Sequence, residues 1–286
     1  MIDLPFEVIQ AYRQKTYRTL PGLRIHSKEE AIDFVSERGF IFFWPIKGVT
    51  LPSLWKAVAG DRPVANKHDD PGHITWGWKD SLLGQHSWYY AKILRKKATM
   101  IAMDLVPNFY ALSENYGSPE EDYLTIYEQG RMTRETKQVY EVIIEKGPID
   151  TVALRQAAHL AGRASDSSFN RALADLQADY KIVPVAVTQS GAWRYAFAYD
   201  LVPRQYPQIP DIARMINDHE ARQRITTAYF KSVGAAQLKD VKKLFRWSTK
   251  DSLRVIESLI SAGELKAKAH IDGFPGEWYA IPSLTN

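Results

Sequence analysis

"TKDSLRVIESLISAGELKAKAHI" (residues 249–271) changes period at its single glycine. Before Gly263, the apolar residues Leu253, Ile256, Leu259 and Ile260 recur at spacings of three and four, which makes one stripe along a helix. After it, Leu265, Ala267, Ala269 and Ile271 alternate with polar residues, the period of a strand. Glycine adopts positive φ at no steric cost, so a helix can stop at Gly263 and turn directly into a strand.

Working outward, the surrounding order is a helical pattern "DHEARQRITTAYFKSV" (218–233), then "GAAQ", "LKDVKKLF" (238–245) and "RWS". The quoted helix and strand follow, then a tip "DGFPGE" (272–277) and a returning strand "WYAIPS" (278–283). The same order stands earlier as "ETKQVYEVIIEK" (135–146), "GPID", "TVALRQAAHLAG" (151–162), "RASD" and "SSFNRALADLQADY" (167–180). "KIVPVAV", "TQSGA" and "WRYAFAY" (181–199) complete it. A repeat of this length is a duplicated supersecondary unit. Two helices joined by a short turn and followed by a two-stranded wing form a winged helix, whose second helix commonly enters a DNA groove.

Trp193 and Trp278 fall at the first position of the returning strand in the two copies, and Phe169, Ala172, Leu173 and Leu176 form the first copy's apolar stripe. Ser, Thr and Asp at 165–168 and 248–251 supply N-cap oxygens for these helices. "LVPRQYPQIPD" (201–211), with three prolines, reads as a stiff extended spacer. The expected fold is α+β, mainly helical, with tandem winged-helix domains at 131–203 and 218–286 and a linker at 204–217. An aromatic-rich α+β domain over 1–130 precedes them, and a diverged third winged helix there stays open.

In that first part, "SKEEAIDFVSERG" (27–39) has the form of a capping box, Ser27 followed three residues later by Glu30. "FIFFWPIKGVTL" suggests a buried strand, "GDRPVANKHDDPGHITWG" a loop, and "WKDSLLGQHSWYYAKILR" (78–95) a further helix. Five of the eight tryptophans lie between 44 and 88. Aromatic rings among bases can stack on unpaired nucleobases, and Trp76, Trp78 and Trp88, beside polar residues, are the candidates for that role, against core packing as the competing reading.

The 286 residues are 45% hydrophobic and 24% charged, the composition of folded soluble domains. No apolar run reaches the length of a membrane span and the start has no signal-peptide pattern, so a cytoplasmic location without membrane attachment is expected. The absence of cysteine excludes disulfides, thiolate metal sites and a cysteine nucleophile. The net charge of +4 is unevenly spread: residues 1–130 carry 15 basic against 16 acidic side chains, and residues 131–286 carry 22 against 17. Lys239 to Arg254 holds six basic and two acidic residues, and "KILRKK" (92–97) holds four basic ones, which permits polyanion binding.

No phosphate-binding glycine loop, nucleophile elbow or paired-histidine zinc helix is present. "HDDPGH" (68–73) groups two imidazoles and two carboxylates, but without further ligands it reads as a solvated loop, and neither a metal nor a cofactor is expected.

The ordered winged helices, "SVGAAQLKDVKKLFRWSTKDSLRVIESL" (232–259) with its G-x-x-x-L-x-D turn into the second helix, and the aromatic first half together resemble the winged-helix DNA glycosylases of bacterial crosslink repair, the AlkZ/YcaQ-like family. The resemblance implies grip on double-stranded DNA, alkylated or crosslinked, with excision of an alkylated base as the family chemistry. It also implies a Gln-X-Gln or Gln-X-Asp pair in the N-terminal part, where "GFIFFWPIKG" (39–48) offers neither. Gln177-Ala-Asp179 lies in the second half, near a helix end, and reads as accidental. Hydrolysis of an N-glycosidic bond needs an oriented water and a group that stabilises positive charge on the sugar. Asp69, Asp70, Asp80 and Asp104 are candidate substitutes, and no catalytic residue is assigned among them.

The leading expectation is a DNA-binding protein related to these glycosylases, with catalysis in doubt. An active glycosylase using another group, a protein-interaction scaffold and a metabolite-responsive regulator compete with it. Expected nucleic-acid contacts in the first copy are Ser168, Asn170, Arg171 and Arg194, and in the second Lys242, Lys243, Arg246, Lys250 and Arg254. Lys92, Arg95, Lys96 and Lys97 join them from the first half.

Overall fold

The computed structural model describes residues 2–285. A first strand β1 (Ile2–Asp3) and helix α1 (Phe6–Thr16) precede α2 (Lys28–Arg38), β2 (Phe40–Phe42), α3 (Leu54–Ala59), α4 (Ile74–Ser81), β3 (Tyr89–Lys92) and β4 (Ala98–Ile101). After α5 (Val106–Ala111) and α6 (Asp122–Glu128) come α7 (Arg134–Lys146), β5 (Ile149–Asp150), α8 (Thr151–Ala157), α9 (Asp166–Ala178), β6 (Ile182–Thr188) and β7 (Ala196–Leu201). Short helices α10 (Val202–Gln205) and α11 (Gln208–Arg214) lead to α12 (Asp218–Val233), β8 (Ala235–Ala236), α13 (Leu238–Phe245), α14 (Thr249–Ser261), β9 (Lys266–His270) and β10 (Trp278–Ala280).

The fold is thus α+β and mainly helical, and its winged-helix order of helix, strand, two helices and two strands occurs three times: α2 to β4, α7 to β7 and α12 to β10. In each, the first strand pairs antiparallel with the last, as Phe40 with Ile101, Ile149 with Tyr199, and Ala236 with Tyr279. The N-terminal half therefore carries the element order left open by its sequence.

Two compact units divide the chain. One holds the chain up to Trp78, Thr99–Leu105 and everything from Asp218 onward, and the other holds Lys79–Ala98 and Val106–Asn217. This grouping cuts across the division at 1–130, 131–203 and 218–286. In the first unit β1 runs parallel to β9 and extends the wing sheet to the order β1-β9-β10-β8. Both α1 and α2 pack on α12.

Backbone carbonyls at the end of α12, which have no partner within their own helix, are taken by α1. Tyr12 Oη donates to the Lys231 carbonyl at 2.7 Å, Thr16 Oγ1 to Ser232 at 2.7 Å, and Arg13 to Val233 and Ala235 at 3.0 and 2.8 Å. Cations also suit the negative end of the helix dipole. The second unit is built round Val139, Tyr140 and Ile143 of α7 and Phe169, Leu173 and Leu176 of α9, closed by Ile182, Tyr199 and Leu201 of the wing. Each such buried side chain contributes roughly 1.5–3 kcal/mol.

Ser27 accepts from the Glu30 amide, Ser248 accepts from the Asp251 amide, and Gly263 takes φ +75° just past α14, as expected. In the first copy Tyr180 stands at φ +55° where glycine would be natural, and Lys181 donates its amide to the Leu176 carbonyl just as Glu264 donates to Leu259. Several expectations fail: the loop read over 60–77 gives way to α4 at Ile74, and Ser165 makes no side-chain cap on α9. The proline-rich 201–211 is not an extended spacer: Pro203 lies in the first turn of α10, Pro207 caps α11, and Ile209, Pro210 and Ala213 are buried, because proline fits a first turn whose amides need no partner. Residues 78–95 are not one helix, since α4 ends at Ser81 and positive φ at Gly84 and His86 turns the chain into β3. Trp193 is not in the returning strand, which starts at Ala196, whereas Trp278 does open β10 and is buried.

Candidate nucleic-acid interface

In the first unit, α13 and α14 are fixed by Val241, Leu244, Val255, Ile256 and Leu259, all buried, so their remaining positions face outward. Lys243, Arg246, Lys250 and Arg254 are exposed and Lys242 is half-buried. Arg246 closes α13 with φ +60°, donating its amide to the Lys242 carbonyl at 2.9 Å. A left-handed arginine costs about 1–2 kcal/mol over glycine, a strain that points to a use for the side chain. Asp251 is tied to the helix cap, where Ser248 Oγ donates to Oδ2 at 2.6 Å. Among the described residues none of Lys242, Arg246, Lys250 and Arg254 has an ion-pair partner. Sequence reasoning missed the exposed Lys47, whose neighbour Gly48 would place a Cβ 3.1 Å from Lys243 Nζ.

In the second unit, two stretches far apart in sequence form one face. The 94–96 turn after β3 packs on α9, where Gln177 accepts from the Lys92 amide at 3.1 Å and Asp175 pairs with Lys96. The second half of α9 is therefore covered, and the first half presents Asn170 and Arg171. Ser168 is turned onto its own helix, donating to the Ser165 carbonyl at 3.0 Å. Lys92, Lys96 and Lys97 are exposed and Arg95 is half-buried, while Arg95 and Lys96 sit at φ +58° and +54°. Desolvation by the protein around its ammonium, then the charge of Lys97, holds Lys92 below its ordinary pKa although its side chain reaches solvent. Arg194 is exposed in the β6–β7 turn at φ +48°.

The aromatic candidates divide. Trp78 and Trp88 are buried core, which removes them as base-stacking residues. Trp76 is half-buried with Trp44 at 5.8 Å between ring centroids and His73 at 6.3 Å. Trp193, expected in the sequence only as the start of a strand, is 91% exposed.

Of the four carboxylates, Asp70 grips Arg62 and accepts from the Gly72 amide at 2.8 Å, and Asp80 lies 2.6 Å from the buried Lys79 ammonium. Asp69 is exposed on its loop. Asp104, 3.5 Å from Arg224, lines a groove of about 780 Å³ with Arg38, Gln223 and Lys231. His73 Nε2 lies 3.0 Å from the Ala65 carbonyl, and among the described residues no group of three His, Asp or Glu could hold a metal ion. The segment where the resemblance places its Gln pair, 39–48, begins with β2, whose Phe40, Ile41 and Phe42 are wholly buried, and continues through Trp44.

A family model described as "AlkZ related" matches residues 25–246, most of the chain. The chain belongs to the AlkZ-related family. Its fold is similar to that of the Streptomyces sahachiroi DNA glycosylase AlkZ, with a TM-score of 0.59 at 12% identity, covering 99% of this chain and 71% of that one. No curated protein matches the chain. The chain is thus related to AlkZ through its family and similar to that DNA glycosylase in fold, and no helix among its described residues is long and apolar enough to cross a membrane.

Proposed function

We propose that this AlkZ-related protein binds duplex DNA through its winged helices without the glycosidic chemistry of a Gln-X-Gln or Gln-X-Asp pair. The observation that carries the reading is the outward face of α13 and α14, where Arg246, Lys250 and Arg254 are exposed; of the two acids on α14, Asp251 is held by the helix cap and Glu257 is exposed. Such cations contact phosphates and displace condensed counterions, so affinity falls steeply with salt. Asn170 and Arg171 on α9 have the side chains that read base edges. Loss of the chemistry is supported by residues 39–48, where the resemblance places an amide or carboxylate to orient water and where apolar Phe42 closes β2 and Trp44 follows it.

The test is binding of fluorescent duplexes, undamaged or bearing a 7-alkylpurine, over a salt series, with hot-alkali cleavage scored on the same samples. Salt-dependent binding without cleavage is expected. The double variant Lys250→Glu, Arg254→Glu lowers affinity at least about tenfold and flattens the plot of log affinity against log salt by about two. Salt-insensitive binding, or none, refutes the reading. Cleavage of the alkylated duplex would favour the alternative of a glycosylase with another carboxylate, for which Asp104 on its groove is the residue to replace.

A further inference from the structure

The three wings differ in what their tips present. After β3 the tip is basic and has no aromatic ring, "ILRKK" (93–97). After β9 the tip is acidic and its ring is folded back: Phe274 stacks on Phe6 at 4.3 Å and meets the edge of Trp278 at 6.3 Å, while Asp272 and Glu277 flank it. Between β6 and β7 the tip "TQSGAWR" (188–194) holds no acid, and it lifts Trp193 into solvent beside Arg194. Every other tryptophan of the chain is buried or half-buried.

The tip is held in place. Strand pairing runs from Ile182 with Leu201 out to Thr188 with Ala196. Ser190 Oγ donates to Asp150 Oδ2 at 3.1 Å, and Arg194 donates its amide to the Gly191 carbonyl at 3.1 Å across a turn that needs positive φ at both residues. An indole offers about 150–250 Å² of surface that folding normally hides. Here a braced turn keeps it in water with an arginine next to it.

We propose that the β6–β7 wing is a base-stacking wedge, in which Trp193 stacks on a nucleobase at a disrupted base step of DNA and Arg194 contacts the adjoining phosphate. The proposal rests on the duplex-binding reading above and adds the determinant that separates damaged from intact DNA. Rings stack on any base face, so the contact carries no sequence code. In an intact duplex both faces of a base are already occupied, and insertion costs unstacking that a missing or mispaired neighbour has largely removed.

The test uses the full chain and two duplexes of equal length, one intact and one with a 2-aminopurine beside a single abasic-site analogue. The wild type should bind the abasic duplex about tenfold more tightly, and its binding should change 2-aminopurine emission as the base stacks on the indole. Trp193→Ala should lose the preference and the emission change while intact-duplex affinity stays within about twofold, since phosphate contacts remain. Trp193→Phe should keep most of both. Because the side chain is exposed, all three proteins should melt alike. If the wild type binds intact duplex in a salt-dependent way but Trp193→Ala keeps the preference and the emission change, or the wild type shows neither, the wedge is wrong and the duplex reading stands. If the wild type binds neither duplex, both are wrong.

Discussion

Lys79 Nζ lies 2.6 Å from Asp80, donates to Tyr195 Oη at 2.9 Å, and sits over the ring of Phe197 at 4.6 Å, with its side chain 4% exposed. Burial holds this ammonium below its ordinary pKa, and Asp80 is the counter-charge that makes it tolerable. Replacing Asp80 with Asn should cost toward the lower end of roughly 3–5 kcal/mol in urea unfolding, the carboxylate being partly solvated; an unaffected midpoint would free Asp80 for another role. Asp70 is likewise structural. Its hydrogen bonds from Arg62, then from the Gly72 amide, keep the carboxyl below its ordinary 3.8. The folded state therefore binds fewer protons there than the unfolded chain, so the stabilisation is present above pH 3.8 and is lost as pH falls through the lower folded value. Thermal melts of Asp70→Asn should lie below wild type at pH 6 and converge with it on acidification below 3.8; a gap independent of pH would remove the charged pair as its cause. Neither partner was legible in the sequence, because Arg62 and Tyr195 reach these carboxylates through the fold and not through spacing.

Helix ends show where sequence pattern suffices and where it misleads. Gly263 announces the end of α14, and since nothing lies within 4 Å of a Cβ added there, its only function is the positive φ. Gly263→Ala should therefore destabilise by about 1 kcal/mol, read from the urea midpoint at unchanged slope, whereas a neutral result would mean the turn relaxes to negative φ. Tyr180 makes the same turn without the signal, held by burial and by ring contacts with Tyr89 at 5.5 Å and Tyr110 at 6.2 Å. Apolar periods located the helices and wings of both copies. The prolines of α10 and α11 misled because a first helical turn and an extended spacer accept proline equally well. On the candidate interface, charge density picked out α13 and α14, but adjacency to polar residues could not separate buried Trp78 and Trp88 from exposed Trp193, since that depends on which side of a turn faces the core.

At the scale of the molecule, chain order and compactness disagree. The sequence divides at the repeat boundaries, yet α12 near the start of the last winged helix is completed by residues more than 190 positions earlier. Arg38 Nη1 donates to the Lys231 carbonyl at 3.2 Å, and Ser232 Oγ donates back to the Arg38 carbonyl at 3.3 Å, beside the bonds from Tyr12, Arg13 and Thr16. Side chain to backbone bonds of this kind leave no period in either segment, so they could not be read in advance. They also make a prediction that separates the two divisions. If residues 218–286 were a domain added to a finished N-terminal half, a fragment of residues 1–217 would keep the protection of α2 and β2 against hydrogen exchange. If α12 is part of the core on which α1 and α2 fold, the fragment exposes their apolar faces and returns four donor side chains to water. Its amides over Lys28–Phe42 should then exchange near the unfolded rate, while those of α9, β6 and β7 stay slow, because the apolar stripe of α9 is buried within residues the fragment retains. Native protection over Lys28–Phe42 in the fragment would restore the chain-order domains.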